Sequence, residues 1–436
     1  MKKTILLINL ISIILLAGCT KTTPSSSSTK QTPDNIIAES IKTNTAVEDP
    51  YSRTDVLLKI AKSYETANNE NEAQKILKQI PDVKTLVIEL TKSKGDSKIL
   101  IELAKAYSFT TDKNMPLSII SEAEKMILAM DDGKIKNKRI YMLAKLYADM
   151  GKYENALSTS GLIKDDIITQ LLTKAYVYTK TGEMDKVTAS LEKTIKITNL
   201  AFKKADNKTF QLIDIARESQ LMGENKIAKE ALVSAQDAEK GIDIKDFDKD
   251  GSYKVKVNAL TKIAMCYYLL QADKEYIKKL LYEAVRLNQN INNPLYRSQS
   301  LIDIGEILIK IGIYDEADEI LSKAVKSTNN ISRLSILDPN LNITKARNQQ
   351  LLKIAELYVI AHNYKKAVSI SRNLPNAPII TVKIAVNYAQ SGNKEKAAKL
   401  LKEAQKTAVA IKDKAQKAEI LAEIAEAYLL YNIPAL

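Results

Sequence analysis

The chain has 436 residues, 45% of them hydrophobic and 27% charged, with 65 Lys and Arg set against 52 Asp and Glu. It is too long for one compact core and too apolar for a disordered chain. With one His, two Cys and no Trp, most metal sites and most nucleophile–base sets lack their components, so no enzyme is expected. The +13 charge is almost all lysine, there being only eight arginines. A lysine-rich surface suits an anionic setting such as a membrane face, a wall polymer or an acidic partner. It argues against nucleic acid, whose readers favour arginine and stacked aromatics. Cys19 and Cys266 offer no disulfide framework, so stability must come from packing.

At the amino terminus, Lys2 and Lys3 precede an apolar run from Ile5 to Leu16 that ends in Leu16-Ala17-Gly18-Cys19. Twelve helical residues cover about 18 Å, short of the roughly 30 Å hydrocarbon layer, so residues 1–18 read as a signal peptide and not a span. The Leu-Ala-Gly-Cys ending resembles the bacterial lipobox. That resemblance implies cleavage before Cys19, a lipid on its thiol, and an extracytoplasmic protein anchored to a membrane. Thr20 and Lys21 stand where that family's retention signal usually has an Asp, which implies the outer membrane if the host has one. Residues 19–50 are rich in Ser, Thr and Pro, and with the lipidated cysteine at their head they are expected to form a flexible tether.

From Tyr51 to Leu436 one unit recurs. An apolar stripe spaced i, i+3, i+4, i+7, the signature of a helix face, appears as Leu57, Ile60, Ala61 and Tyr64. It returns in the same register around Ala104, Ala144, Ala264, Ala355 and Ala425, with weaker copies around Ala175, Ala216, Gly305 and Ala385. Seven residues after the small residue there is often a glycine: Gly151, Gly182, Gly223, Gly312 and Gly392. Glycine enters the left-handed conformation that a helix needs to stop and turn back. Five residues later a second stripe opens on a small residue, as at Ala73, Ala156, Ala228, Ala317, Ala367 and Ala397. Each unit is therefore expected to be a helical hairpin whose alanines allow close approach.

This pattern resembles the tetratricopeptide repeat, best in the unit that runs through Leu301, Gly305, Leu308, Gly312, Tyr314, Ala317 and Leu321. The resemblance covers roughly residues 51–431. It implies an all-α, right-handed superhelical solenoid of about ten hairpins. The small residues recur at steps of 30 to 50 residues, not a steady 34, so longer helices or inserted loops must absorb the difference.

In such solenoids the first helices line the concave face, and the residue after the small one points into it. That slot holds Lys62, Lys105, Lys145, Tyr176, Arg217, Met265, Glu306, Glu356, Val386 and Glu426, basic in the first half and acidic in the second. Tyr268 is a further groove candidate. Such polarity suits an extended protein or peptide partner, oriented by charge. Tyr267, Tyr268, Tyr276, Tyr282 and Tyr296 invite an aromatic cage, whereas Tyr64, Tyr107, Tyr147, Tyr358, Tyr388 and Tyr428 fall on the core stripe.

Asp246, Asp248 and Asp250 alternate before Gly251, as at the opening of a calcium loop. The closing acid would fall at Val257, which cannot bind. Otherwise no cofactor is expected. His362 takes a turn slot that is glycine elsewhere, and Cys266 reads as a small buried hydrophobe. The expected function is that of a non-enzymatic, membrane-anchored scaffold holding a protein or peptide partner in its groove. The alternative is an envelope-biogenesis factor that binds anionic wall or outer-membrane components.

Overall fold

The computed structural model describes residues 32–92, 96–108, 114–331 and 342–434. Among these the regular structure is helical: 21 α-helices and one 3₁₀ turn at Asp246–Asp248. The first four α-helices are α1 (Pro33–Asn44), α2 (Pro50–Thr66), α3 (Glu70–Leu77) and α4 (Val83–Lys92). The hairpins α5 (Lys98–Ser108) with α6 (Met115–Leu128), α7 (Lys134–Asp149) with α8 (Tyr153–Ser160), and α9 (Ile167–Thr181) with α10 (Met184–Ala201) follow. Next come α11 (Ala205–Leu221) with α12 (Asn225–Lys240), and α13 (Lys249–Leu269) with α14 (Lys274–Asn288). The last hairpins are α15 (Pro294–Lys310) with α16 (Tyr314–Asn329), α17 (Ile343–Ile360) with α18 (Tyr364–Ser371), and α19 (Ala377–Gln390) with α20 (Lys394–Val409). The series ends with α21 (Lys414–Tyr431).

The turn signal is general. Gly151, Gly182, Gly223, Gly312 and Gly392 all stand at φ between 72° and 87°. The same slot, seven residues past the small stripe residue, is left-handed at Asn68, Gln271, His362 and Asn432 as well. Asn and His tolerate this region better than most side chains, which explains how the hairpin persists where glycine is missing. His362 also accepts or shares a hydrogen bond with the Tyr364 hydroxyl at 3.0 Å.

Second-helix length sets part of the irregular spacing. The steps of 31 and 30 residues that begin at Ala144 and Ala355 contain the eight-residue helices α8 and α18, while the steps of 40–41 residues contain second helices of 14–18 residues. Between Ala61 and Ala104 the additional helix α4 packs on α2 and α6. It buries Leu86 and Leu90 completely.

Consecutive first helices pack on one another around the molecule, whereas consecutive second helices touch appreciably only at α10 and α12 among the regular hairpins. First helices therefore form the inner layer and second helices the outer one. The core lies between them, with Leu100, Leu212, Leu281, Leu321 and Leu401 fully buried. The one weak junction in the inner layer is between α9 and α11, which scarcely touch; α10 bridges them instead.

The two ends of the series meet. α21 packs against α2 as one first helix packs against the next, and α1 lies along α21 in the place of its second helix. Residues 33–44, read from composition as part of a tether, are therefore a structural helix of the repeat domain. Thr32 caps it, accepting from the Asn35 amide, and Ile36, Ile37, Ser40 and Asn44 are its buried face. The Ser/Thr/Pro composition of the preceding residues masked this short apolar stripe. The solenoid is closed into a ring.

Close packing within hairpins yields a direct test. A Cβ built on Gly305 would meet Leu321 Cδ2 at 2.7 Å, and Leu321 is fully buried. Gly305→Val is expected to destabilise the fold by about 2 kcal/mol, as overpacking of a filled core does. Urea unfolding followed by circular dichroism checks it.

Candidate functional site

The first helices present their exposed side chains to the inner face in two rows, the predicted slot and the position three residues before it. The second row contains Lys59, Asp214, Lys262, Asp303, Lys353 and Lys383. Sequence reading missed it, although the i−3 spacing on one helix face was the available signal.

The two rows interlock. Lys353 Nζ lies 3.1 Å from Glu306, and Lys383 Nζ lies 3.4 Å from Glu356. Arg217 lies 3.5 Å from Asp214 and 3.9 Å from Glu218. The expected polarity, basic in one half and acidic in the other, is thus offset at Arg217, Glu306 and Glu356. Each slot charge in this stretch is met by an opposite charge from its own helix or the next, supplied by Asp214, Lys353 and Lys383, whereas Asp303 shares the sign of Glu306.

Lys145 sits in the most elaborate cluster. Its Nζ donates to the Tyr141 hydroxyl at 3.0 Å, lies 3.6 Å from Glu218, and stands over the Tyr176 ring at 4.1 Å from the centroid. Tyr141 in turn donates to Glu218 at 2.7 Å. Burial, reinforced by the Glu218 carboxylate, pushes the Tyr141 hydroxyl far above its ordinary range. Tyr176 donates to Asp149 at 2.7 Å and is pushed up to about 12 by burial and that carboxylate. These contacts join α7 directly to α11 across the place where α9 and α11 fail to pack, and so brace the weak junction.

Lys62 and Lys105 differ from the other basic slots. Both are exposed, and among the described residues neither has an ion pair within 4 Å. Glu65 lies within electrostatic range of both lysines and Glu426 within range of Lys62; burial raises both carboxyls and the lysines oppose the rise. Met265 and Tyr268 are half-buried against the hydrophobic core and expose only part of their surface.

Where α2, α17 and α21 begin, the inner face holds a cleft of about 710 Å³ lined by Tyr51, Asp55, Asn348, Gln349, Gln416 and Glu419. Gln416 donates from Nε2 to the Asn376 side-chain oxygen at its rim. Lys59 joins the two ends of the ring at this level, 2.5 Å from Glu419 on α21 and 3.1 Å from Asp55 on its own helix.

The remaining sequence candidates disperse. Asp248 caps α13 by accepting from the Gly251 amide at 3.0 Å, and Asp250 accepts from the Asn292 and Asn293 amides at 2.8 Å each. Asp246 pairs with Lys249 at 3.2 Å. The three carboxylates point to three separate tasks, and Gly251 is helical, its missing Cβ making room for the Asp248 carboxylate. At Asp246, Asp248 and Asp250, where the spacing resembles the opening of a calcium loop, the carboxylates therefore do not converge. Among the described residues no group of three or more His, Cys, Asp or Glu side chains is placed to hold a metal ion.

The five tyrosines do not form a cage either. Tyr267 and Tyr276 stack edge to face at 5.0 Å and share Gln236, Tyr282 donates to Glu316 at 2.8 Å, and Tyr296 lies under Lys254. Cys266 is a free, buried thiol, pushed up to about 11 by burial. Cys19 and residues 1–18 lie outside the described residues.

Asp303, on the inner row of α15, is raised to about 6, first by burial and then by Glu306, against the pull of Lys353, Lys262 and Lys254. Between the ordinary carboxyl range and pH 6, the folded state holds a proton that the unfolded chain has released. This group's contribution to stability therefore falls as pH rises through that window. Asp303→Asn is expected to stabilise the protein at pH 7.5 by on the order of 1 kcal/mol, with the difference gone near pH 4. Thermal melts of both proteins at the two pH values check it.

Comparison with known proteins agrees with the helical-repeat architecture. Residues 55–82, most of α2 and all of α3, match the tetratricopeptide repeat family. The chain matches no curated protein. Among solved structures it is similar to a circular tandem repeat protein at 14% identity over 92% of this chain and 96% of that one, with a TM-score of 0.32. It is also similar to a Rap protein complexed with competence and sporulation factor (15% identity, 76% and 99% covered, TM-score 0.28) and to yeast Tom70 (13%, 85% and 95%, TM-score 0.23). One stretch of the chain, residues 55–82, thus carries a recognisable tetratricopeptide repeat, and the described residues as a whole form an all-α helical-repeat solenoid.

Proposed function

We propose that this protein is a non-enzymatic scaffold, anchored to a membrane through Cys19, that holds a protein or peptide partner on the inner face of its ring. The observation that carries the reading is the concentration of water-reached charged and aromatic side chains on that face. Lys62 and Lys105 stand there without the close counterions that the other basic slots possess. A carboxylate of the partner would supply the missing charge, forming charge-assisted hydrogen bonds beside Glu65 and Glu426. Lys145 and Arg217 are already held by Glu218 and Asp214, so they give way only if the partner replaces those contacts.

The closed ring also bears on the anchor. Thirteen residues separate Cys19 from Pro33, where α1 begins, so an anchored Cys19 lies within about 45 Å of the ring at full chain extension.

Crosslinking in intact cells, with wild type, a Lys62→Glu/Lys105→Glu variant and a Cys19→Ala variant, tests the reading. Wild type is expected in the membrane fraction with a captured partner. The double variant should stay on the membrane and lose the partner at least tenfold, and Cys19→Ala should move to the soluble fraction. A folded double variant that captures the same partner equally well would contradict the assignment to the inner face.

A further inference from the structure

Among the ten first helices, α21 is alone in receiving its second helix from the far end of the sequence. The other hairpins are continuous chain, whereas α1 reaches α21 with no covalent turn between them. The register is nevertheless that of an ordinary hairpin. Residues 36–64 align with residues 280–308 without a gap: Glu39 with Glu283, Asn44 with Asn288, Pro50 with Pro294, Arg53 with Arg297, Leu57 with Leu301 and Ile60 with Ile304.

The contacts repeat as well. Asn44 Nδ2 donates to the Arg53 carbonyl at 2.8 Å, as Asn288 Nδ2 donates to the Arg297 carbonyl at 3.2 Å. Asp49 and Asn293 cap the following helices in the same way, each just before a proline. Ser40 occupies the place of the fully buried Ala284 and is itself fully buried. α1 is therefore a second helix of the repeat in every respect but its covalent connection.

We propose that the face of α21 covered by α1 is an exchangeable helix-binding site, at which the 33–44 segment of a second copy can replace the chain's own. The recognition chemistry is that of an amphipathic helix in a groove. An adjacent isoleucine pair, Ile36 and Ile37, supplies the apolar anchor. One turn on, the Ser40 hydroxyl donates to the Ala418 carbonyl at 2.7 Å. At the rim Glu39 meets Lys417 at 3.5 Å, and Tyr64 donates to Asp34 at 3.3 Å. The groove admits a helix closely because α21 places Ala418, Ala422 and Ala425 on one face, all of them buried. Ser40 is small enough for the approach and polar enough to require the Ala418 carbonyl, which sets the register.

A twelve-residue helix is marginal on its own, and α1 buries only four of its residues. Its occupancy in cis rests on the short connection through residues 45–49 to α2, which holds it at an effective concentration on the order of millimolar. A free peptide at about 10 µM then competes at a disadvantage of roughly a hundredfold until the cis helix is unseated.

The test uses the full chain carrying Ile36→Lys and Ile37→Lys, and a fluorescent peptide of wild-type residues 32–48. Anisotropy titration should show the variant binding the peptide at least tenfold more tightly than wild type does, and a Ser40→Arg peptide should not bind. A variant that keeps its helical circular dichroism and melting transition but binds neither peptide would overturn the proposal. Hydrogen exchange on unmodified protein covers the case in which the variant fails to fold. The amides of Ile37 and Ser40 should then exchange at least tenfold faster than those of Leu421 and Ala425. Equal protection in the two helices would overturn exchangeability, since α1 would leave only when the whole ring unfolds.

Discussion

A helical hairpin cannot bury its apolar face alone, and a row of hairpins leaves one face uncovered at each end. In this protein both ends are covered by each other. α21 offers α2 the surface that any first helix offers the next, and α1 returns to α21 the second helix that it lacks. Ser40 to Ala418, Lys59 to Glu419 and Lys417 to Glu39 fasten residues some 360 to 380 positions apart. An open solenoid needs capping helices with a polar outer side; a closed one does not, and the apolar stripes of α2 and α21 run unmodified to the junction.

Closure also decides what the inner face is. Confinement crowds protein around Asp303, Glu423 and Glu426, and burial raises each of these carboxyls even though water still reaches them. Acids are tolerated there because lysines from neighbouring first helices alternate with them: Lys353 beside Glu306, Lys383 beside Glu356, Lys59 beside Glu419. Exposed pairs of this kind contribute little singly. As a belt they link α15 to α17, α17 to α19 and α21 to α2. Where helix packing lapses, at α9 and α11, the Tyr141, Glu218 and Lys145 cluster takes over the connection.

The hairpin unit was legible from residues alone, since the small residue at Ala61, Ala144 or Ala355 and the left-handed slot seven residues later follow from local steric rules. The inner slot was legible too, but its meaning was not. Reading one row of side chains suggested a polarised groove, and the neighbouring row at Asp214, Lys353 and Lys383 offsets part of it. Asp246, Asp248 and Asp250 matched a motif by spacing, yet a helix N-terminus and the loop before α15 had prior claims on them. Ring closure is not visible in composition, because Ser, Thr and Pro dominate the residues just before α1. The Asn44, Pro50 and Arg53 pattern that repeats at Asn288, Pro294 and Arg297 was available in the sequence and marks α1 as a second helix.

Closure is the claim on which the rest turns, and zero-length carbodiimide crosslinking of the monomer with peptide mapping tests it most directly. Lys59–Glu419 and Lys417–Glu39 products should appear in monomeric protein alongside Lys353–Glu306 and Lys383–Glu356, which report on the inner belt in either case. Recovery of the latter two without the former would mean an open solenoid, with α1 and α21 apart.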